Sequence, residues 1–531
     1  MDRRTFLSFL GRAAVAAPFL STIPLGCSSQ ESAAPLPAPP FPPLGVSHAD
    51  DLVLTEGLSY SILAGQGLPI NAKGDLFGCD NDYIAFLPLS GKKNEALLWV
   101  NHESTSEIFV SGFTGGVKTR EQVQLEQKSV GGSILHLRAG DTGWKIVPDS
   151  AYNRRLDATT RMPFVTERPI LGSDHATGTL ANCAGGVTPW GTVLTCEENY
   201  DMFYGEMAYD EKGRRTWQPG RYRQLGWEKH FPYPPEHYGW VVEVDLRLGR
   251  AKKLTALGRF AHESATVAKA GNGRAVVYMG DDTSDQCLYK FIADAPGTLD
   301  SGTLHVADFS RGKWIPLVWE KNPALKKAFK DQTDLLIRTR EAAAIVGGTK
   351  LDRPEDVEVD PTTGAVLVAL TGNPKKGNLH GSILRLAEKN PLSLEFTHST
   401  FLTGGDELGF SHPDNLAFDP KGNLWFTTDV HDKLLGRGPW KDMGHNSLFY
   451  VPMNGENAGR PFRVAAAPNE AELTGPCFSP DGGTLFLSVQ HPGLMTTDPA
   501  HPTSRWPGKT GEPKSAVVAI RGPLLDRLVR G

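Results

Sequence analysis

Residues 353–372 read RPEDVEVDPTTGAVLVALTG. Two runs rich in Val and Ala flank the turn DPTTG, and this pattern predicts a β-hairpin. The first strand opens on charge, because Arg353, Glu355 and Asp356 stand where a buried strand would begin. The question is why a strand that looks buried starts with two carboxylates and a guanidinium.

The second strand of this hairpin recurs along the chain. Each copy has Gly or a polar turn residue, then a run of mostly apolar or small residues, and then polar groups. The copies are NEALLWVNHES (94–104), WGTVLTCEENY (190–200), GRAVVYMGDDT (273–283), GAVLVALTGNP (364–374), GNLWFTTDVHD (422–432) and GGTLFLSVQHP (482–492). Six copies at intervals of roughly 60 to 95 residues predict an all-β fold, a six-bladed β-propeller. We expect long inter-strand insertions and a few short helices, with an array of β-sandwich domains as the alternative.

The composition agrees with this prediction and narrows the function. The chain has 531 residues, with 57 Gly and 39 Pro that favour many turns. A formal net charge of -5 does not favour nucleic-acid binding, which usually needs a basic face. Six cysteines are too few for a disulfide framework in a chain of this length. We therefore expect one propeller catalytic domain over residues 45–531 and no nucleic-acid partner.

The first 34 residues resemble a twin-arginine export signal. MDRRTFLSFLGRAAVAAPFLSTIPLGC (1–27) places Arg3 and Arg4 before Phe-Leu and a moderately apolar stretch. An ordinary apolar helix is the alternative, but the stretch is interrupted by Arg and Pro, which disfavours a membrane span. Two ways of processing this signal remain. One is lipidation at Cys27, as in a lipoprotein, and the other is cleavage near Ala33.

Residues 35–44, PLPAPPFPPL, predict an extended Pro-rich tether with no part in the core. We expect the twin-arginine machinery to export the protein, and at most peripheral or lipid-anchored contact with a membrane. The expected location is periplasmic, extracellular or lipid-anchored.

The hairpins predict where polar side chains meet. The start of the first strand of a hairpin lies beside the end of the second, and the innermost strands of a propeller line its channel. Both sets of polar residues should therefore gather at one rim. The strand starts carry Cys183, His262, Glu263, Glu355, Asp356 and Asp414, and the strand ends carry Glu103, Glu197, Glu198, Asp282 and Asp429. Carboxylates at this density cannot all stay ionised without cations among them, so the sequence predicts a metal site.

The residue types restrict the chemistry of this site. Carboxylate oxygens suit Ca²⁺, whereas a thiolate from Cys183 suits iron or zinc. Cys183 could equally form a disulfide with Cys196. Arg353 is the cation among the acids, and it could form a structural salt bridge with Asp356 or hold two oxygens of a phosphate.

Five long stretches resemble the PhoX-type bacterial alkaline phosphatases. They are CAGGVTPWGTVLTCEEN (183–199), GRFAHESA (258–265), RPEDVEVDPTTG (353–364), HPDNLAFDPKGNLWFTTD (412–429) and LTGPCFSPDGGTLFLSVQHPG (473–493). The resemblance runs from about Gly45 to Gly493. It implies a six-bladed propeller that hydrolyses phosphomonoesters. It also implies an active centre at the channel mouth, with a pair of Fe³⁺ ions, several Ca²⁺ ions and a bridging oxo group.

The resemblance also implies residue roles. Cys183 becomes the iron-binding thiolate, which decides against the disulfide, and Arg353 becomes the catalytic group that binds the substrate phosphate. The implied metal ligands are Glu197 or Glu198, Glu263, Asp282, Glu355 and Asp356, with Glu103 and Glu472 as additions. The chain departs from the family pattern at TGNP (371–374) and TTDVHD (427–432), both beside the mouth.

Two other functions fit a propeller with acids at its mouth. A calcium-dependent hydrolase of lactones or other esters would use Ca²⁺ as a Lewis acid and needs neither the thiolate nor the arginine. A non-catalytic binding propeller would use calcium for stability alone.

Overall fold

The computed structural model describes residues 37–92 and 94–530. The chain divides into one unit of residues 1–38 and a second of residues 39–531, and all the elements given below belong to the second unit. The predicted export signal, with Cys27, lies outside the described residues. Within the described ranges, the helices are too short or too polar to cross a membrane.

The second unit is a six-bladed β-propeller, as the repeated hairpin predicts. The strands of blade 1 are Asn81–Pro88, Glu95–His102, Gly131–Gly140 and Gly143–Ile146, with Arg154–Leu156 beside the third. Those of blade 2 are Asn182–Val187, Val193–Glu197, Val241–Asp245, Arg250–Leu254, Arg161–Val165 and His175–Thr177. Those of blade 3 are Thr266–Lys269, Arg274–Gly280, Leu288–Pro296, Gly302–Asp308 and Lys313–Pro316.

Blades 4 to 6 are built in the same way, from the innermost strand outward. The strands of blade 4 are Pro354–Val359, Val366–Leu370, Ser382–Glu388 and Phe396–Thr403. Those of blade 5 are Pro413–Phe418, Leu424–Thr428, Ser447–Val451, Phe462–Ala466 and Val53–Leu54. Those of blade 6 are Glu472–Phe478, Leu485–Gln490, Ala516–Arg521 and Ser59–Gly65.

The insertions between strands carry two small hairpins and most of the helices. The hairpins are Glu206–Tyr209 with Arg215–Gln218 and Ser284–Gln286 with Leu351–Asp352. The α-helices are Arg120–Ser129, Asp201–Tyr204, Pro323–Ala328, Gln332–Ile337, Thr339–Val346 and Pro523–Leu525. Turns of π-helix cover Glu107–Ser111 and Asp526–Arg530, and 3₁₀ turns cover Trp227–Lys229, Pro235–His237, Thr255–Leu257, Trp319–Lys321, Pro374–Lys376 and Gly438–Trp440.

The N-terminal part of the second unit closes the ring. The strand Ser59–Gly65 is the outermost strand of the last blade, where it pairs antiparallel with Ala516–Arg521. Phe41 is only 3% exposed and its ring lies 6.0 Å from that of Phe462. The prediction that residues 35–44 form a tether outside the core is therefore wrong for Phe41.

The apolar core lies between adjacent blades, because each sheet buries both of its faces against its neighbours. Between blades 3 and 4, for example, Val276 and Tyr278 belong to the same buried cluster as Val366 and Val368. This packing fixes each innermost strand at the channel, and it therefore fixes the residues at the ends of that strand.

Candidate active site at the channel mouth

Every inner hairpin contains one extra residue near the start of its first strand. In blade 4, Pro354 pairs with Leu370 and Val357 pairs with Val368, so that the first strand has an extra residue between the two pairs. The same irregularity follows Asn81, Asn182, His262, Pro413 and Thr474 in the other five blades. Such a β-bulge re-aims side chains. Simple alternation of side chains therefore does not hold at these positions.

The bulges give six equivalent positions, one in each blade. They are Asp82, Cys183, Glu263, Glu355, Asp414 and Gly475. All except the glycine carry a side chain that can bind a metal, and all five of those side chains are buried. The Sγ atom of Cys183 lies 3.1 Å from Oδ2 of Asp82 and 3.0 Å from Oε1 of Glu263. We call these five residues the bulge ring.

A second set of acids joins the bulge ring from the ends of the second strands. Ligand atoms of Glu198, Cys183 and Glu263 all lie within 4.8 Å of one another, and so do those of Glu103, Asp82 and Cys183. The structure thus brings donors from blades 1, 2 and 3 around the thiol of Cys183.

Arg353 lies at the edge of this cluster with its guanidinium held by acids. Its Nε and Nη2 atoms each lie 2.9 Å from an oxygen of Asp282, and Nη2 lies 2.5 Å from Glu355 and 3.8 Å from Asp429. The side chain is still 27% exposed. Its backbone φ of 58° is in the left-handed region, which is uncommon for a residue other than Gly. Burial opposes its charge, but Asp282 and Glu355 raise the pKa of Arg353, so this guanidinium is a permanent cation.

The carboxylates of the cluster repel one another. Burial raises the pKa of Glu263, and the neighbouring Glu198 and Glu355 raise it further. Burial also raises the pKa of Glu198, Glu355 and Asp414 above the ordinary values. Burial likewise raises the pKa of the Cys183 thiol. Some of these groups therefore carry protons unless cations take the place of the protons.

The comparison with known families agrees with this geometry. The sequence profile of the alkaline phosphatase PhoX family matches residues 39–493. This chain belongs to the PhoX family. A structure of Pseudomonas fluorescens PhoX in complex with vanadate, a transition state analogue, is 30% identical with a TM-score of 0.82. The match covers 91% of this chain and 98% of that chain. The PhoX-family protein described here is accordingly a phosphoric monoester hydrolase.

More distant matches are structures with little sequence identity. A protein of unknown function from Dyadobacter fermentans is 11% identical with a TM-score of 0.40. That match covers 88% of this chain and 100% of that chain. An aldose sugar dehydrogenase from Streptomyces coelicolor is 12% identical with a TM-score of 0.26, covering 64% of this chain and 93% of that chain. No curated protein sequence matches this PhoX-family chain.

The donors of this PhoX-family site fit the ions that the family implies. Among the described residues, Oδ1 of Asp82, Oε2 of Glu355 and Oδ1 of Asn199 are buried oxygens without a hydrogen-bond partner. Buried acceptors left without a donor are costly, and a cation satisfies them. Cys183 and Cys196 are both free thiols, so the disulfide is not formed. One sulfur among many hard oxygen donors is a set that suits iron beside calcium.

The structure places two of the predicted ligands away from the cluster. Glu197 lies 2.6 Å from Nζ of Lys253 and accepts hydrogen bonds from the amides of Gly239 and Trp240. These partners occupy both oxygens of Glu197. Of the adjacent pair in blade 2, Glu198 is the residue that joins the bulge ring.

Asp356 binds backbone amides and lies away from the other acids of the cluster. Its carboxylate accepts a hydrogen bond of 2.7 Å from the amide of Leu416 and one of 2.8 Å from its neighbour Val357. The first of these bonds ties blade 4 to blade 5. Glu355, the other acid of this pair, is therefore the residue that joins the cluster.

Glu472 lies on blade 6 at the edge of the site. Its Oε1 atom is 3.1 Å from Nε2 of His491. Burial and the nearby Asp429 raise the pKa of Glu472. Asp82 is a member of the bulge ring that the sequence analysis did not assign, and Asp414 and Asp429 were expected at the mouth without a role as ligands.

Proposed function

We propose that this protein is an exported, metal-dependent phosphatase that hydrolyses phosphomonoesters at a polynuclear centre of Fe³⁺ and Ca²⁺ in the channel mouth. One observation carries the proposal. The partly exposed guanidinium of Arg353 lies beside a buried cluster of acids that surrounds the thiol of Cys183 and needs cations to balance its charge. Vanadate, a transition state analogue, is bound by the related Pseudomonas fluorescens PhoX.

The residues of the site have two proposed roles, cation binding on one side and phosphate binding on the other. Cys183, Glu198 and Glu263 with the rest of the bulge ring would hold the cations. Bound cations supply Lewis acidity and neutralise negative charge on a phosphate. Asp282 holds the Nε and Nη2 side of the Arg353 guanidinium and so orients it, and the donors on Nη1 would hold oxygens of the phosphate.

Export rests on the sequence of the N-terminus. We propose that the pair Arg3-Arg4 directs the chain to the twin-arginine machinery, and that the mature protein acts in the periplasm, outside the cell or on a lipid anchor at Cys27. Deletion of the arginine pair should retain the protein in the cytoplasm, as measured by cell fractionation.

Metal analysis tests the proposed centre directly. Elemental analysis of the purified protein should find iron and calcium together, and exhaustive chelation should abolish hydrolysis of 4-nitrophenyl phosphate. Calcium without iron, with turnover of lactones, would instead support the alternative calcium-dependent esterase. Calcium alone without turnover of any ester would support the binding propeller.

Substitution of Arg353 tests the phosphate-binding role. Replacing Arg353 by Ala should lower kcat/KM for a phosphomonoester by about 100-fold or more, since one positioned donor is worth that much in comparable sites. Arg353→Lys should recover only part of the loss, because a lysine lacks the planar fork. Arg340→Lys is a matched control, because Arg340 pairs with Asp281 in the same two-point manner outside the cluster. Equal losses in the Arg353 and Arg340 variants would refute the role.

A further inference from the structure

Three residues form a strap at the mouth of the channel. Arg221, Tyr222 and Arg223 lie in the long insertion between the second and third strands of blade 2. We call these three residues the strap. The five stretches quoted above for the family resemblance do not include them, and the role proposed for Arg353 does not require them.

The first arginine of the strap is anchored beside the end of blade 3. Nε and the backbone amide of Arg221 lie 2.9 Å and 3.0 Å from Oδ2 of Asp201. Its Nη1 atom donates to the hydroxyl of Thr283. Thr283 follows Asp282, the residue that holds Arg353. One end of the strap is therefore fixed next to the proposed phosphate-binding group.

The other arginine is anchored beside the end of blade 1. Nη2 of Arg223 forms an ion pair with Glu107, which also lies 2.6 Å from the buried ammonium of Lys118. Glu107 follows Glu103 of the metal-binding cluster by four residues. Since blade 2 lies between blades 1 and 3, the strap is attached on both sides of the part of the mouth that Glu198 occupies.

The residue between the two anchors is left uncovered. Tyr222 is 67% exposed, although both of its neighbours are held in ion pairs. The guanidinium of Arg221 lies 5.5 Å from the centre of its ring. Partial burial raises the pKa of Tyr222, and the carboxylate of Asp282 raises it further while Arg353 opposes this. The anchors of its two neighbours, at Thr283 and Glu107, place the ring beside the charged wall of the site.

We propose that Tyr222 determines the preference for the leaving group, and that its ring packs against the flat, aromatic alcohol part of a phosphomonoester. The inference rests on the proposed function, because it takes the phosphate to be held at Arg353. The strap is anchored at Thr283, next to the Asp282 that holds Arg353, so the organic group of a substrate bound there would extend outward beside the strap. Covering an exposed aromatic ring is favourable, and a side chain on an anchored segment loses little freedom when it is covered.

Two phosphonates that the enzyme cannot hydrolyse test this without turnover. Phenylphosphonate and methylphosphonate share the head group that Arg353 would hold and differ in the organic group. Calorimetry on the metal-loaded wild-type protein should give tighter binding of phenylphosphonate by about 2- to 12-fold, the range that an aromatic contact supplies. Tyr222→Ala should remove this preference with methylphosphonate affinity unchanged, and Tyr222→Phe should keep it.

Leu248→Ala is the control, because Leu248 is a large exposed side chain in the turn between two outer strands of blade 2. This variant should bind both phosphonates as the wild type does, and a melting curve should show that every variant is folded. In hydrolysis, Tyr222→Ala should raise KM for an aryl phosphate and leave KM for glycerol phosphate unchanged. A phenyl preference that survives in Tyr222→Ala, or is absent from the wild type, overturns this inference alone. Failure of the wild type to bind either phosphonate overturns the proposed function as well.

Discussion

Two adjacent glutamates of blade 2 allow a test of the proposed metal centre. In metal-free protein, replacing one of them should raise the stability of the fold and replacing the other should lower it. Glu198 belongs to the cluster, where its carboxylate lies within 4.8 Å of that of Glu263. Two unit charges at 4.8 Å repel by about 3.5 kcal/mol at an effective dielectric constant near 20. In protein stripped of metal, Glu198→Gln removes this repulsion and should stabilise the fold. Because burial raises the pKa of Glu198, protonation already relieves part of this repulsion, so the gain in stability should be smaller than the full interaction between two ionised groups.

Glu197→Gln provides the matched control one residue away. Glu197 pairs with Lys253 at 2.6 Å, and both side chains are 0% exposed. Removing one partner of a buried ion pair leaves an uncompensated charge and costs about 3 to 5 kcal/mol. This variant should therefore be less stable than the wild type both with and without metal.

Thermal unfolding separates the two outcomes. For a chain of about 500 residues the unfolding entropy is about 1 kcal/mol per degree, so that a change of about 3 kcal/mol shifts Tm by about 3 °C. At about pH 8, chelated Glu198→Gln should melt up to about 3 °C above chelated wild type, and Glu197→Gln about 3 to 5 °C below it. In metal-loaded protein, Glu198→Gln should lose bound metal and phosphatase activity, whereas Glu197→Gln should keep its metal.

A lower Tm for chelated Glu198→Gln than for the chelated wild type would refute the reasoning. That result would mean that the acids at the mouth do not repel one another, so that their crowding would no longer require cations.

Three further predictions test other parts of the structure. The free energy of unfolding of chelated protein should fall from about pH 4 to about pH 8 and level off above that. Burial raises the pKa of Asp356 to about 7 and that of Glu358 to about 8, and the stability contributed by a carboxyl with a raised pKa is lost as the pH rises through that pKa; a rising Tm contradicts this. Gly280→Ala should destabilise the protein by about 1 to 3 kcal/mol and lower its metal content, since a Cβ would lie 2.2 Å from the carbonyl oxygen of Glu355; melting curves and elemental analysis check both effects. Phe41→Ala should cost about 3 to 5 kcal/mol in urea unfolding, because it empties a core position, and an unchanged midpoint would show that Phe41 does not pack in the core of blade 5.

The fold could be predicted because its signal is repeated. Each second strand combines a turn glycine or polar residue with an apolar run, and all six predicted copies contain the second strand of an inner hairpin. The packing of Phe41 could not be predicted in the same way, because a Pro-rich segment favours an extended chain whether or not it lies on a core.

The predicted site residues show where the sequence pattern stops being informative. Cys183, Glu263 and Glu355 come together because the starts of all inner strands lie at one end of the channel. Which acid of an adjacent pair joins them depends on the bulge, and one extra residue in a strand leaves no regular mark in the sequence. Asp82 was missed because no first strand was assigned to the hairpin of blade 1 from the sequence, so that the start of that strand was not considered. An alignment of the six first strands by their ladder positions would have pointed to it.

The glycine at the sixth bulge position makes the site asymmetric. Gly475 has a φ of 55°, and a Cβ there would lie 2.7 Å from the carbonyl oxygen of Asp82. Blade 6 therefore cannot add a sixth donor at this level without displacing Asp82 of blade 1. It places Glu472 and His491 at the edge of the site instead. The propeller thus brings five donors together at one level of the channel. Two features that are not repeated, the glycine of blade 6 and the arginine of blade 4, separate the proposed cation side from the proposed substrate side.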